Sequence, residues 1–222
     1  MPELGDKVGA SHEFHDREYV QGWAERFTST PGRLALFDAI LGELEPRLAK
    51  GGRIVELGLG PGFLADHLLR SLVAVDYVGL DFSAPMLEIA RGRLSGFAPR
   101  VTFVQADLVN EDWTAKIEGD VDAVVSTWAL HDLGSQENVR RVYEKCAEVL
   151  GGSGILLNAD FIKPDGTKRV FEPGRFEISR HLQMMRQVGF GAPDCITPVL
   201  EEESETPDAS QNYVCMRAIV SV

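Results

Sequence analysis

Cysteine is scarce in this chain: Cys146, Cys195 and Cys215 are its three, scattered and without a C-x-x-C pair. Such a set provides neither a disulfide framework nor a zinc site, so free thiols are expected and no metal is assigned. Basic residues are also few, 22 Lys and Arg against 34 Asp and Glu, for a net charge of −12. That balance repels a phosphate backbone, which argues against nucleic acid as a partner and for a small neutral or cationic molecule. No apolar run approaches the roughly 20 residues of a membrane span. The opening Met-Pro-Glu-Leu-Gly-Asp lacks the basic and apolar segments of a secretion signal, so a cytoplasmic protein without membrane association is expected. No internal repeat is visible, and the one biased stretch, Glu201 to Asp208, reads as an acidic, solvated hairpin turn.

What remains suits one globular domain: 222 residues, 44% hydrophobic and 25% charged. Two helices are expected first, over 13–28 and 32–49. Phe14, Tyr19, Trp23 and Phe27 form an aromatic stripe in the first, and Leu34, Phe37, Ile40, Leu41, Leu44 and Leu48 an apolar face in the second. Thr30-Pro31 has the chemistry of an N-cap followed by proline at the first helical position. From position 53 strands and helices alternate, the pattern of a parallel sheet. Strands are expected near 53–57, 77–81, 101–105, 121–126, 154–159, 194–200 and 211–220, and helices near 62–71, 83–95, 136–150 and 175–188, with a weaker one around 111–117.

The most informative stretch is Ile54-Val55-Glu56-Leu57-Gly58-Leu59-Gly60-Pro61-Gly62, a β-branched run that ends in an acid and breaks into alternate glycines. A strand turning sharply into a helix needs residues without Cβ where the chain folds back and where a ligand lies on the main chain. Asp81 ends the next apolar run, about 20 residues on, where a carboxylate can accept from two ribose hydroxyls. The pair describes an adenosine-binding βαβ unit. In the dinucleotide fingerprint G-x-G-x-x-G the third glycine would fall at Phe63, so that spacing fails.

The order Glu56-x-Gly58-x-Gly60-x-Gly62 instead resembles the first motif of the class I S-adenosylmethionine-dependent methyltransferases. Three further segments follow in family order. Asp81-Phe82-Ser83-Ala84-Pro85-Met86 is similar to the ribose and adenine segment, with Ser83 as a helix N-cap. Phe103-Val104-Gln105-Ala106-Asp107-Leu108 is similar to the strand whose terminal Asp receives the adenine amino group. Val121 to Leu133, with Ser126, Trp128, His131 and Asp132, is similar to the strand and loop that face the methionine moiety and the substrate. The resemblance covers roughly residues 50 to 160. It implies one Rossmann-like α/β domain over 50–222, with a seven-stranded, mostly parallel sheet, an antiparallel last strand and helices on both faces, preceded by an N-terminal helical lid over 1–49. It implies S-adenosylmethionine as cofactor, held by Glu56, Gly58, Gly60, Gly62, Asp81, Phe82, Met86, Asp107, Leu108 and Ser126.

The activity implied is in-line transfer of a methyl group to an oxygen or nitrogen of a small molecule. Its requirements are exclusion of water, alignment and, where the acceptor carries a proton, a base. His131 is the candidate base, its ordinary pKa near 6.5 being suited to neutral pH, with Asp132 either orienting it or capping the next helix. Tyr19, Trp23, Trp128, Asp160 and His181 are the candidate substrate contacts, with His12 and His15 expected to line a lid and Phe161, Lys163 and Phe171 to wall a pocket. The partner expected is the methyl acceptor, with a homodimer left open. Two other readings stay in view: a non-catalytic cofactor-binding sensor or partner subunit, and a nicotinamide-dependent oxidoreductase.

Overall fold

A computed structural model describes residues 12–26, 30–201 and 211–221. A 3-10 turn, Glu13–His15, precedes α1 (Arg17–Arg26) and α2 (Pro31–Leu48). The alternating part then runs β1 (Gly52–Leu57), α3 (Phe63–Ser71), β2 (Val75–Asp81), α4 (Ala84–Arg93), β3 (Val101–Gln105), β4 (Val121–Thr127), α5 (Gln136–Val149) and β5 (Leu150–Phe161). It closes with α6 (Ile178–Gln187), β6 (Phe190–Cys195), β7 (Leu200–Glu201) and β8 (Asn212–Val220).

The strands lie in the order β3-β2-β1-β4-β5-β8-β6. The pairings from β3 to β5 are parallel, and β8 runs antiparallel between β5 and β6. This is the expected mixed α/β sheet, with one addition: the two-residue β7 pairs with β8, Leu200 opposite Tyr213. Strand order reverses between β1 and β4, and in open α/β sheets that reversal opens a crevice beyond the carboxyl ends of the strands.

Both faces of the sheet are covered. Ile54, Tyr77, Val125 and Leu157 pack under α2, α3 and α4 with Ile40, Leu44, Leu68 and Leu87. The alternate residues Val55, Val78, Val124 and Leu156 pack under α5 and α6 with Val142, Tyr143 and Met185. The period of two along each strand thus divides the core into two layers. α2 belongs to this core, since Leu36, Ile40, Leu44 and Leu48 are buried in the same cluster as β1.

Helix starts follow local chemistry. Thr30 accepts from Arg33 N–H with Pro31 inside the first turn, Ser83 accepts from Met86 N–H, and Ser135 from Asn138 N–H. Two expected boundaries are corrected. The helix foreseen over 13–28 is broken at Asp16, whose carboxylate accepts from Tyr19 N–H at 2.7 Å and starts α1 afresh, so Phe14 is not on the same helix as Tyr19 and Trp23. The strand foreseen over 194–200 runs instead over Phe190–Cys195, because Phe190 is buried against Val220 and the pairing shifts register between Gly191 and Asp194. Phe27 and most of the acidic turn, 202–210, lie outside the described residues.

Candidate functional site

A cavity of about 320 Å³ opens over the carboxyl ends of β1, β2 and β4. The β1–α3 turn forms its floor. Gly58 and Gly60 both have left-handed backbones, φ 72° and 52°. A Cβ on Gly58 would stand 2.4 Å from Ala129 Cβ, so that position is closed to any side chain, whereas a Cβ on Gly60 would meet nothing within 4 Å. Gly60 therefore presents bare main chain to the cavity. Gly62, expected beside the ligand, is absent from the lining and begins α3, packed toward Leu94 and Ala90.

Two acids reach the cavity from neighbouring strands. Glu56, at the end of β1, is 1% exposed and accepts from Tyr77 Oη at 2.7 Å. Burial raises its pKa to about 8, against the lowering effect of the tyrosine hydrogen bond. Asp81, at the end of β2, accepts from Gly60 N–H at 2.8 Å and Ser83 N–H at 2.9 Å. Burial raises its pKa to about 6, with those two amides pulling it down. Phe82, Met86, Ala106 and Leu108 supply an apolar slot beyond Asp81. His12 and Phe14 close over it, with Ser83 Oγ donating to Phe14 O and the His12 ring edge-on to Phe82 at 5.4 Å.

On the other side of β1, Thr127, Trp128, His131 and Asp132 line the cavity from the β4–α5 loop, and Phe161 from the end of β5. His131 Nδ1 lies 2.7 Å from Asp160 Oδ1. A carboxylate only accepts, so Nδ1 carries the proton and Nε2 is the nitrogen left for another group. Asp160 is fully buried, and it also accepts from the main-chain N–H groups of His131 (2.9 Å) and Phe161 (2.8 Å). Burial pushes the imidazole pKa down, but Asp160, and more weakly Asp132 at 3.4 Å from Nε2, leave it raised above its ordinary value.

Glu56, Gly58, Gly60, Asp81, Phe82, Met86, Leu108, Trp23, Trp128 and His131 are thus brought together on one cavity, and several other expected residues are not. Ser126 is buried, its hydroxyl donating to Leu57 O at 3.0 Å, while its neighbour Thr127 faces the cavity. Asp107 is off the lining: its carboxylate accepts from Val109 N–H, Asn110 N–H and the Asn110 amide, closing its own turn. Asp160, read as a substrate contact, stands behind His131. His181 is buried among Phe176, stacked at 3.8 Å, and Tyr143 Oη, 2.8 Å from its Nδ1. Tyr19 turns to Glu13 and is not in the lining. Arg33, Phe37, Phe63 and Ala129 line the cavity without having been foreseen. Arg33 and Phe37 lie one turn apart near the start of α2, Phe37 buried with the core-facing residues, and periodicity alone does not distinguish a cavity-lining position from a core one.

The cavity fits the cofactor that the sequence resemblance implies. Burial disfavours the charged form of Glu56, and a cation such as the cofactor's ammonium group would stabilise it as a carboxylate. Asp81, at the mouth of an apolar slot, suits a ribose below an adenine, and the bare main chain at Gly60 lets a ligand approach closely. Among the described residues no helix is long and apolar enough to cross a membrane, and no cluster of three or more His, Cys, Asp or Glu could hold a metal ion.

A family described as "Methyltransferase domain" matches residues 54–154. The chain is 30% identical to an uncharacterized methyltransferase of Anoxybacillus flavithermus, over 65% of this chain and 68% of that one. It is 28% identical to the tRNA N(3)-methylcytidine methyltransferase Mettl2 of Drosophila melanogaster, over 78% of this chain and 51% of that one. Among solved structures it is similar to the N-methyltransferase NodS of Bradyrhizobium japonicum in complex with S-adenosyl-l-homocysteine. The TM-score is 0.66 at 13% identity, with 88% of this chain and 90% of that chain covered. The chain spans about half or less of the length of most curated relatives it matches. The glycine turn, the two acids and these matches agree: the chain belongs to the class I S-adenosylmethionine-dependent methyltransferases.

Proposed function

We propose that this chain methylates an oxygen or nitrogen of a small molecule, with His131 removing the acceptor's proton. When bound, S-adenosylmethionine supplies a methyl group on a positive sulfur. Glu56 and Asp81 would hold its ammonium and ribose, and Phe82, Met86 and Leu108 its base. The observation that carries the reading is the His131–Asp160 pair. Asp160 fixes the imidazole through two hydrogen bonds, one to the ring and one to the main chain. It thereby sets the tautomer, and the imidazolium formed on proton uptake sits against a buried carboxylate. Residues 12–26, with His12, Phe14 and Trp23 over the crevice, would act as the lid that excludes water.

A small acceptor rather than RNA is supported by the net charge of −12 and by a cavity walled largely with apolar and aromatic side chains. The test is transfer from methyl-labelled S-adenosylmethionine into a cell extract that is then split into small-molecule and RNA fractions. Label is expected in the small-molecule fraction. His131→Phe should lower that transfer by a factor of roughly 10² to 10⁴ while leaving S-adenosylhomocysteine affinity unchanged. Label confined to RNA, or full activity in the variant, would refute the reading.

A further inference from the structure

Between β5 and α6 the chain turns at Pro173-Gly174 and comes down on the loop that carries His131. Arg175 follows that turn, and its side chain is only 8% exposed. The main chain is fixed on either side of it. A Cβ on Gly174 would stand 2.2 Å from His131 O, and Phe176, its ring stacked on His181, accepts at its carbonyl from Lys163 N–H at 3.1 Å. The guanidinium lies over the Phe161 ring, Cζ 4.7 Å from its centroid, with the Phe171 ring at 5.5 Å and Glu172 Oε2 3.4 Å from Nε. Phe161 lines the cavity and meets the His131 ring edge-on at 5.2 Å. A cation so nearly buried is costly, and here aromatic faces and a carboxylate offset its lost hydration.

His131 is subject to opposing influences. Burial disfavours its imidazolium, Asp160 from β5 and Asp132 from its own loop favour it, and Arg175 works against those two carboxylates. Tyr143 and His181 approach Asp160 from the α5–α6 core, and Tyr213 of β8 stands beside Phe161. Elsewhere on the cavity lining the ionisable groups are Glu56, Asp81, Arg33 and His12. We propose that Arg175 is a positioning residue for methyl transfer, a fixed cation that sets how readily the His131 imidazole takes up and returns the acceptor's proton. The inference rests on the reading of His131 as the base and goes beyond it. Two carboxylates favour the imidazolium, which cannot accept a proton. A nearby guanidinium restores the neutral ring without loosening the Asp160 hydrogen bond that orients it.

The test is an NMR titration of the five histidines in the full-length protein, with the His131 signal assigned by its loss in His131→Phe. Arg175→Met keeps the apolar stem and removes the charge, and should move the His131 midpoint to higher pH; Arg175→Lys keeps a charge and should stay near the unsubstituted midpoint. Transfer of label from methyl-labelled S-adenosylmethionine into the small-molecule fraction of a cell extract should follow the same pattern. Below the midpoint Arg175→Met should lose about 3-fold or more in rate, above it less than about 2-fold, and Arg175→Lys should restore the profile. An unmoved or lowered midpoint in Arg175→Met, or an equal shift in Arg175→Met and Arg175→Lys, would overturn the proposal. Arg175→Gln, which keeps a hydrogen-bond donor for Glu172, is read in the same way if Arg175→Met does not fold. A midpoint that moves while the pH profile of transfer stays put would instead count against His131 as the base, so the two failures are distinguishable.

Discussion

If Glu56 receives the cofactor's ammonium group, as proposed above, cofactor binding is coupled to proton release. Burial raises the Glu56 pKa to about 8 and that of Asp81 to about 6. If both must be ionised to receive the ammonium and ribose, the fraction of ready sites is the product of their ionised fractions. That product rises about 100-fold between pH 6 and pH 8, some 50-fold of it from Glu56, which corresponds to about 2.7 kcal/mol. S-adenosylhomocysteine should therefore bind about 100-fold more tightly at pH 8 than at pH 6, and binding at pH 7 should release close to one proton. Isothermal titration in two buffers of different ionisation enthalpy measures both quantities. Glu56→Gln should leave only about a 2-fold pH dependence, from Asp81, and bind about 1.5 to 3 kcal/mol more weakly at pH 8. In the ligand-free protein the same raised pKa gives the opposite trend. Over pH 4.5 to 8 the unfolded chain has released a proton that the native state keeps, so native stability falls as pH rises. A dissociation constant that varies less than about 3-fold between pH 6 and 8, with no proton release, would refute the coupling.

Other consequences can be checked independently. Because His131 is raised above 6.5, the acid limb of kcat/KM should titrate above that value, and Asp160→Asn should move it to lower pH while cutting kcat by roughly 10²-fold or more; an unmoved limb would show that His131 is not the base. Gly174 lies against the main chain of His131, where a Cβ would stand 2.2 Å from the histidine carbonyl oxygen. Gly174→Ala should therefore lower kcat by about 10²-fold with S-adenosylhomocysteine affinity retained, and unaltered turnover would contradict that clamp. His181 is buried neutral, its pKa lowered by burial to about 4. Its unfolded form takes up a proton below about 6.5, so about 3 kcal/mol of stability should be lost as pH falls from 6.5 to 4; urea denaturation of His181→Phe should show a smaller loss over that window.

The sequence reveals the side of the cavity at β1 and β2 better than the side beyond β4, for physical reasons. Glu56, Gly58, Gly60 and Asp81 lie at strand ends, where the main chain and a fixed ligand dictate residue type, so their spacing is legible. The side beyond β4 is assembled from separate segments: Arg33 and Phe37 from α2, Trp128 from the β4–α5 loop and Phe161 from β5. No periodicity announces that assembly. Three expected contacts lie off the lining for one cause, since a polar residue near a strand end can turn either way. Ser126 and Asp107 bond to nearby backbone, and Asp160 points under the loop to His131 instead of into the cavity. A histidine on an amphipathic helix gives no sign of which face carries it, and His181 lies within the α5–α6 core.

Calorimetric titration of the protein with S-adenosylhomocysteine at pH 8 bears most directly on this reading of the cavity. Micromolar binding is predicted, weakened by about 1.5 to 3 kcal/mol in Asp81→Ala, which removes the carboxylate assigned to the ribose. No heat at millimolar ligand, or equal affinity in the variant, would contradict it.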